Sequence, residues 1–187
     1  MSPQRLLRCD CSSRVKEKRV GAHERLFVSG LLHDTGHLLL AYRSPERFEA
    51  IRNKAIESST PIHIIEKEGL GFDYADLGAA LLANWKLPEA IVTPVSLHTK
   101  ALITVESDLL RETSVLHVGA VICRAAVWRS EADEPVPEFD PLALQLNDID
   151  SESTEELMNE ADNNVIEAMT LLLPKSAHKS PPRKLAA

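Results

Sequence analysis

The hydrophobic positions of this chain recur at helical spacing from about residue 20 to residue 173. Within successive segments, apolar side chains stand three or four residues apart, as on the buried stripe of an amphipathic helix. No stretch shows the sustained alternation of apolar and polar residues that a half-buried strand requires. The pattern therefore predicts an all-α fold, in which short helices pack orthogonally into a compact array.

The most apolar segment of the first half runs from near His23 to Tyr42 and is predicted to form one helix. Its apolar residues are Leu26, Phe27, Leu31, Leu32, Leu38, Leu39 and Leu40. These residues wrap much of the circumference, and a helix that is apolar nearly all round is typically buried. We expect this segment to be the central helix of the fold.

Capping residues and prolines mark the starts of the following helices. Ser44-Pro45 and Thr60-Pro61 each place proline at the first helical position behind a polar residue, and Ser44 is expected to cap. Gly69 and Gly71 are predicted to end the second of these helices.

Asp73 is expected to cap a further helix, with Asp76 three residues on as a variant of the capping box. The buried face of this helix is predicted to consist of Leu77, Ala80, Leu81 and Trp85. Pro88 then opens a helix that runs to His98, and Pro94 inside it predicts a kink.

The last third contains a second strongly apolar helix, predicted over about residues 112–128. Residues 129–140 are acidic and rich in proline, which indicates a surface loop. Asp140-Pro141 starts a short helix, and residues 153–156 form a capping box for a final helix that ends before Pro174.

Length and charge fit one domain with basic ends. The chain has 187 residues and a net charge of -7, yet residues 1–20 and 174–187 are both basic. We expect a weakly ordered segment at 1–19, a helical domain at 20–173 and a disordered basic tail at 174–187. The basic ends lack interleaved aromatic residues and adjoin a strongly acidic body, which argues against nucleic-acid binding.

The three cysteines, Cys9, Cys11 and Cys123, form no CxxC pair and leave one thiol over. No apolar run approaches the roughly 20 residues of a membrane span, and no signal peptide is recognisable. These features favour a cytoplasmic protein that does not bind membranes. Cys123 stands in an apolar helix, where an inert buried thiol is expected.

The candidate chemistry lies in the first apolar segment, where His33 and Asp34 are adjacent and His37 follows one turn later. Imidazole and carboxylate groups suit zinc, manganese or iron, provided that other helices supply further ligands. The alternative is that these polar groups form structural hydrogen bonds inside the fold.

The other titratable residues carry weaker signals. His63, His98 and His117 are isolated in sequence and are expected to be structural or exposed. Glu66 and Glu68 are interpreted as part of a solvated helix face rather than as an acid–base pair.

Four ordered motifs resemble the HDOD family, the regulatory branch of the HD superfamily of metal-dependent phosphohydrolases. Residues 26–36 resemble its "GLLHDIG" segment, residues 68–79 its "G-x-D-H-A-x-x-G-A" segment, and residues 84–91 its "W-x-L-P-x-x-I" segment. His98 falls where the family often has a His-His pair. The resemblance assigns structural motif roles to Gly30, His33, Asp34, Gly36, Glu68, Gly71, Gly78, Trp85, Pro88 and His98.

The resemblance covers about residues 20–173 and implies an array of the HD-domain type, corresponding to the C-terminal portion of the HDOD module. It implies a bacterial signal-transduction domain that acts through protein contacts without hydrolysing a substrate. Because a preceding helical half would be missing, helix 23–42 should expose apolar surface that a protein partner or a second copy could cover.

Several metal ligands of the catalytic superfamily are replaced in this chain. No histidine stands about thirty residues before His33, Tyr74 and Thr99 replace histidines, and the segment around Ala120 has no carboxylate. The resemblance therefore predicts no catalytic residue, no bound metal and no other cofactor, with His33 and Asp34 as hydrogen-bonded structural relics.

Two alternatives remain open. The first is a degenerate HD-type phosphohydrolase that uses His33, Asp34 and His37 with a divalent metal on a nucleotide or phosphodiester. The second is a non-functional remnant of a larger module.

Overall fold

The computed structural model describes residues 22–104, 109–125 and 134–172, and this part of the chain consists of helices, turns and loops without a strand. The predicted all-α fold is therefore confirmed. The segments 1–19 and 174–187, for which we predicted weak order and a disordered tail, lie outside the described residues.

Nine α-helices and one 3-10 turn follow one another in the described ranges. They are α1 (Ala22–Leu32), α2 (Thr35–Arg43), α3 (Pro45–Ser58), α4 (Ile62–Leu70), α5 (Tyr74–Asn84), α6 (Glu89–Leu97), the 3-10 turn (Leu102–Thr104), α7 (Leu110–Ala125), α8 (Pro141–Leu146) and α9 (Ser151–Leu172).

The prediction of one helix from His23 to Tyr42 is wrong, because the chain turns at His33 and Asp34. Thr35 Oγ1 donates a hydrogen bond of 2.8 Å to the carbonyl oxygen of Leu32, the last residue of α1. Asp34 has φ -99° and ψ 6°, outside the helical region, and α2 starts immediately after it. The His-Asp pair therefore lies at a corner between two helices.

The helix ends that depend on glycine and aspartate were predicted with mixed success. Gly71, at φ +83°, ends α4 in the left-handed conformation, whereas Gly69 lies inside that helix and does not end it. Asp73 and Asp76 form the predicted capping box of α5.

Two predicted caps are wrong in detail. Pro45 opens α3 as expected, but the side chain of Ser44 makes no capping hydrogen bond. The last helix begins at Ser151, two residues before the predicted capping box, because the Asp150 carboxylate accepts a hydrogen bond of 2.8 Å from the Ser153 N–H.

The buried face of α5 is shifted from the prediction. Its buried residues are Tyr74, Ala75, Gly78, Ala79 and Leu82, while Ala80 is exposed and the Trp85 side chain is 56% exposed. Small residues face inward because α5 lies between α2 and α6 at close range. The prediction chose the stripe of Leu77, Leu81 and Trp85, whereas the structure buries the stripe that carries Ala75, Gly78 and Ala79.

Helix α7, rather than the segment 23–42, is the central helix. It packs against α1, α6, α8 and α9 and buries Leu116, Val118, Ala120, Val121 and Ile122. By contrast, α1 and α2 expose Leu31, Leu38 and Tyr42, at 57%, 69% and 82% of their surface. None of the helices in the described ranges is both long and apolar enough to cross a membrane.

The buried apolar residues form three clusters. The first joins α2, α3 and α4 around Leu40 and Ile65, and the second joins α5, α6 and α7 around Leu82 and Leu116. The third joins α7 to α8, α9 and the 3-10 turn around Val118. The corner at His33 and Asp34 lies where the helices of the first two clusters meet.

Replacing Gly36 with alanine should strongly destabilise the fold. A Cβ atom there would overlap the backbone oxygen of Tyr74 and lie 2.8 Å from its carbonyl carbon, and backbone cannot move aside as a side chain can. We expect a loss of roughly 3 kcal/mol in the free energy of unfolding, measured by urea denaturation.

The matched control is Gly69→Ala, since a Cβ atom at this helical position meets nothing within 4 Å. Alanine should stabilise α4 there by up to about 1 kcal/mol. Equal effects of the two substitutions would contradict the close approach of α2 to α5.

Candidate functional site

The polar side chains of the His-Asp corner contact the two helices that flank it. His33 Nδ1 lies 2.8 Å from the carbonyl oxygen of Gly30, to which it donates. Asp34 Oδ1 lies 2.7 Å from His37 Nδ1, one turn along the chain. The three sequence candidates for metal binding are therefore close together, but each histidine uses its Nδ1 atom in a contact with the protein.

His37 joins two carboxylates. Its Nε2 atom lies 3.1 Å from Glu66 Oε1, although the contact lacks hydrogen-bond alignment. Glu66 is fully buried, and its Oε2 atom accepts a hydrogen bond of 2.8 Å from the Tyr74 N–H. The prediction that Glu66 and Glu68 form a solvated face is wrong for Glu66; Glu68 is exposed and pairs with Lys54.

The pKa values of this pair shift in opposite directions. Burial alone would raise the pKa of Asp34, but the hydrogen bond from His37 and the charges of His37 and Arg124 hold it well below its usual range. Burial alone would lower the pKa of His37, but its contacts with Asp34 and Glu66 raise it. Both shifts favour an ionised Asp34 beside a protonated His37.

Tyr74 forms one wall of the site. Its ring stacks on that of His37, with 4.0 Å between centroids and 21° between planes. Its hydroxyl lies 3.1 Å from His98 Nε2. Burial raises the pKa of Tyr74 to about 12, so the phenol stays protonated and donates this hydrogen bond.

His98 and His117 are buried, and both ring nitrogens of each are used. His98 Nδ1 donates to the Val95 carbonyl at 2.7 Å, while Nε2 accepts from Tyr74. His117 Nδ1 donates to the His98 carbonyl at 2.8 Å, and Nε2 accepts from the Asp140 N–H at 2.9 Å. Burial, together with the charge of His33, lowers the pKa of His98 well below its ordinary value.

Arg124 reaches the site from the last turn of α7. Its Nη2 atom lies 3.2 Å from Asp34 Oδ1 and 3.0 Å from His37 Nδ1, and its side chain is only 9% exposed. The guanidinium carbon stands 4.8 Å from the centroid of the Tyr74 ring, within cation–π range. A cationic side chain therefore contacts the His-Asp pair directly.

A cleft of about 520 Å³ opens beside this network, and its lining includes His63, Tyr74, Lys100, Arg124 and Phe139. Its volume is in the usual range of small-molecule sites. Lys100 is paired with Asp76 at 3.1 Å. Burial lowers the pKa of His63, so this half-buried ring faces the cleft as a neutral group at neutral pH.

The residues present do not fit a divalent metal ion. In the described ranges, no group of three or more His, Cys, Asp or Glu side chains is arranged to hold one. The nearest set, His33, Asp34 and His37, already directs both Nδ1 atoms and Asp34 Oδ1 to protein partners, one of which is a guanidinium. A metal ion would have to displace these contacts.

The motif positions divide into two groups. Gly36 and Gly78 lie in close contact beneath the His-Asp corner, where the ideal Cβ position of Gly78 is 3.3 Å from Gly36 N. Gly30, His33, Asp34 and His98 take part in the hydrogen bonds of the site. The remaining motif residues do not: Glu68 and Trp85 are exposed, Gly71 ends the helix α4, and Pro88 stands at the N-cap of α6. Cys123, expected to be buried, is partly exposed.

Sequence reasoning missed Glu66 and Arg124. Glu66 follows the apolar residue Ile65, and Arg124 interrupts an apolar run. A charge in an apolar segment was the available signal, but neither residue lies in a recognisable motif.

Residues 9–101 match the family model of the HDOD domain, which confirms the predicted resemblance over this region. A protein of Treponema pallidum (strain Nichols), described as "Uncharacterized protein", is 28% identical over 72 residues. That match covers 38% of this chain and 14% of the relative, so the chain spans only a small part of that protein.

A solved structure shares the fold. It is the crystal structure of a protein from Shewanella amazonensis SB2B, described as "Putative phosphohydrolase", with a TM-score of 0.51 and 22% sequence identity. The match covers 86% of this chain and 62% of that protein. It supports the helical array of the HD type, while the domain extent 20–173 stays a prediction.

His98 should make the fold sensitive to acid. Because its pKa is depressed in the folded state, its contribution to stability is present above pH 6.5 and is lost as the pH falls toward the folded pKa. Between pH 6.5 and about pH 5, stability should fall by up to 1.36 kcal/mol per pH unit on account of this residue.

The test compares urea unfolding of the wild type and His98→Gln over this pH range. Glutamine cannot titrate, so the stability difference between the two proteins should shrink as the pH falls. His37, whose raised pKa acts in the opposite direction, is present in both proteins and cancels. A pH-independent difference would contradict the neutral, buried state of His98.

Proposed function

We propose that this chain is a non-catalytic regulatory domain that acts in signal transduction through protein–protein contacts in the cytoplasm. The observation that carries the proposal is the engagement of the ring nitrogens of His98 and His117 by protein groups. Hydrolysis at an HD-type centre requires open metal ligands that activate water. These buried imidazoles instead hold α6, α7 and the start of α8 together.

An exposed apolar surface supports a role in protein contacts. Leu38 and Tyr42 stand four residues apart on α2, so they share one face of that helix, and both are largely exposed. Leu31 at the end of α1 is also exposed. Exposed clusters of large apolar residues are common at protein interfaces, where a partner or a second copy removes them from water.

The alternative proposal is a degenerate phosphohydrolase that uses His33, Asp34 and His37 with a divalent metal. Its support is the retained His-Asp pair and the description of the structural relative as a phosphohydrolase. Arg124 counts against it, because a guanidinium already contacts the carboxylate and one of the imidazoles.

The catalytic alternative is tested by phosphate release from nucleotides and a phosphodiester, with Mg²⁺, Mn²⁺, Fe²⁺ or Zn²⁺ supplied in turn. We expect no release above a boiled control from the wild type, and no change with His33→Ala or Asp34→Ala. Metal-dependent release that both substitutions abolish would establish the phosphohydrolase instead.

The exposed apolar surface at Leu38 and Tyr42 is tested by comparing the wild type with the double variant Leu38→Glu/Tyr42→Glu. Both proteins are studied by sedimentation velocity and by capture of host proteins. The double variant should lose the self-association or the specific partner that the wild type shows, since charges on an interface core are costly to bury. Ile103→Glu is the matched control, because Ile103 is 84% exposed on the 3-10 turn. Equal behaviour of all three proteins would exclude this face.

A further inference from the structure

Arg124 places a positive charge beside the carboxylates of the His-Asp corner. Asp34 and Glu66 are two carboxylates in contact with one imidazole, that of His37. Their side chains are 24% and 1% exposed, so solvent screens Glu66 hardly at all. A buried carboxylate is costly unless a cation or hydrogen bonds compensate it. The His37 ring contacts both carboxylates, and the guanidinium of Arg124, which is charged at any physiological pH, contacts Asp34.

The guanidinium is held from several directions. Its Nη2 atom donates a hydrogen bond to Asp34 Oδ1 at 3.2 Å, while its carbon lies over the Tyr74 ring. Asp34 Oδ1 thus receives hydrogen bonds from both basic side chains. The position of Arg124 in the last turn of α7 also suits a cation, because the helix dipole is negative at that end.

The side chains of Tyr74 and Arg124 are in direct contact. A phenol ring offers the guanidinium an aromatic face, and its hydroxyl remains free to donate to His98. The same ring stacks on His37, so one residue orients both positive groups around Asp34.

We infer that Arg124 is the built-in cation of this site, fixed where a divalent metal ion would have to stand to contact Asp34 and His37. It neutralises the carboxylate permanently and needs no bound ion to do so. This role concerns charge compensation in the folded chain and does not depend on the proposed protein contacts.

A double-mutant cycle between Arg124 and Asp34 tests the inference through urea unfolding of the full chain. Arg124→Met should lower the folding equilibrium constant by about a hundredfold or more, since it removes the guanidinium charge that contacts the partly buried Asp34 carboxylate. In the Asp34→Asn background the same change should cost about tenfold or less, because the carboxylate that the guanidinium contacts is gone. Additive effects would overturn the inference.

Two further variants keep the cycle interpretable. Arg111→Met, on the exposed face of the same helix, should change the folding constant by no more than about twofold in either background. If Arg124→Met does not fold, Arg124→Lys provides the comparison, because lysine retains the charge but not the planar fork. Lysine should retain part of the coupling free energy with Asp34. If the Arg124→Lys protein shows no coupling to Asp34, the charge has no role at this position.

Metal titration tests the position of the cation. In Arg124→Ala, Mn²⁺ or Zn²⁺ should raise the melting temperature in a saturable manner, and adding Asp34→Asn should abolish the effect. In the wild type, added metal should cause no rise in melting temperature that depends on Asp34. A wild type stabilised by metal through Asp34, or an Arg124→Ala protein that gains nothing, would overturn the inference. Neither outcome involves hydrolysis or partner binding, so a failure here is distinct from a failure of the proposed function.

Discussion

Compensation of buried charge is the constraint on which the centre of this fold depends. Asp34, His37, Glu66 and Arg124 come from a helix corner and three different helices, and each contacts at least one of the others. Because opposite charges attract strongly away from water, these contacts fix how α2, α4 and α7 lie relative to one another. The apolar clusters on either side stabilise the helices, but they do not by themselves define this geometry.

The buried histidines extend the same principle to neutral groups. Tyr74 donates to His98, the backbone of His98 accepts from His117, and His117 accepts from the Asp140 backbone. Such a chain joins α5, α6, α7 and the start of α8 through hydrogen bonds that would be costly to leave unpaired. These hydrogen bonds therefore connect four of the helices that surround the His-Asp corner.

Most of the helices could be predicted from the sequence, because periodicity and caps act locally. The capping box at Asp73 and Asp76 and the proline start at Pro141 formed as predicted. The break at His33 and Asp34 could not be predicted in this way. The break accompanies the close packing of Gly36 on the backbone of α5, a contact between residues far apart in the chain. The orientation of Trp85 and the burial of Glu66 depend on tertiary packing for the same reason.

The sequence by itself determined the helical class, the family resemblance and the absence of several expected metal ligands, since these follow from residue identity and local spacing. Only the tertiary structure decided which groups surround the His-Asp pair. Arg124 lies 90 residues from Asp34 in the chain and belongs to none of the motifs, yet its guanidinium contacts the carboxylate. A long-range ion pair has no local sequence pattern, because the fold alone brings its partners together.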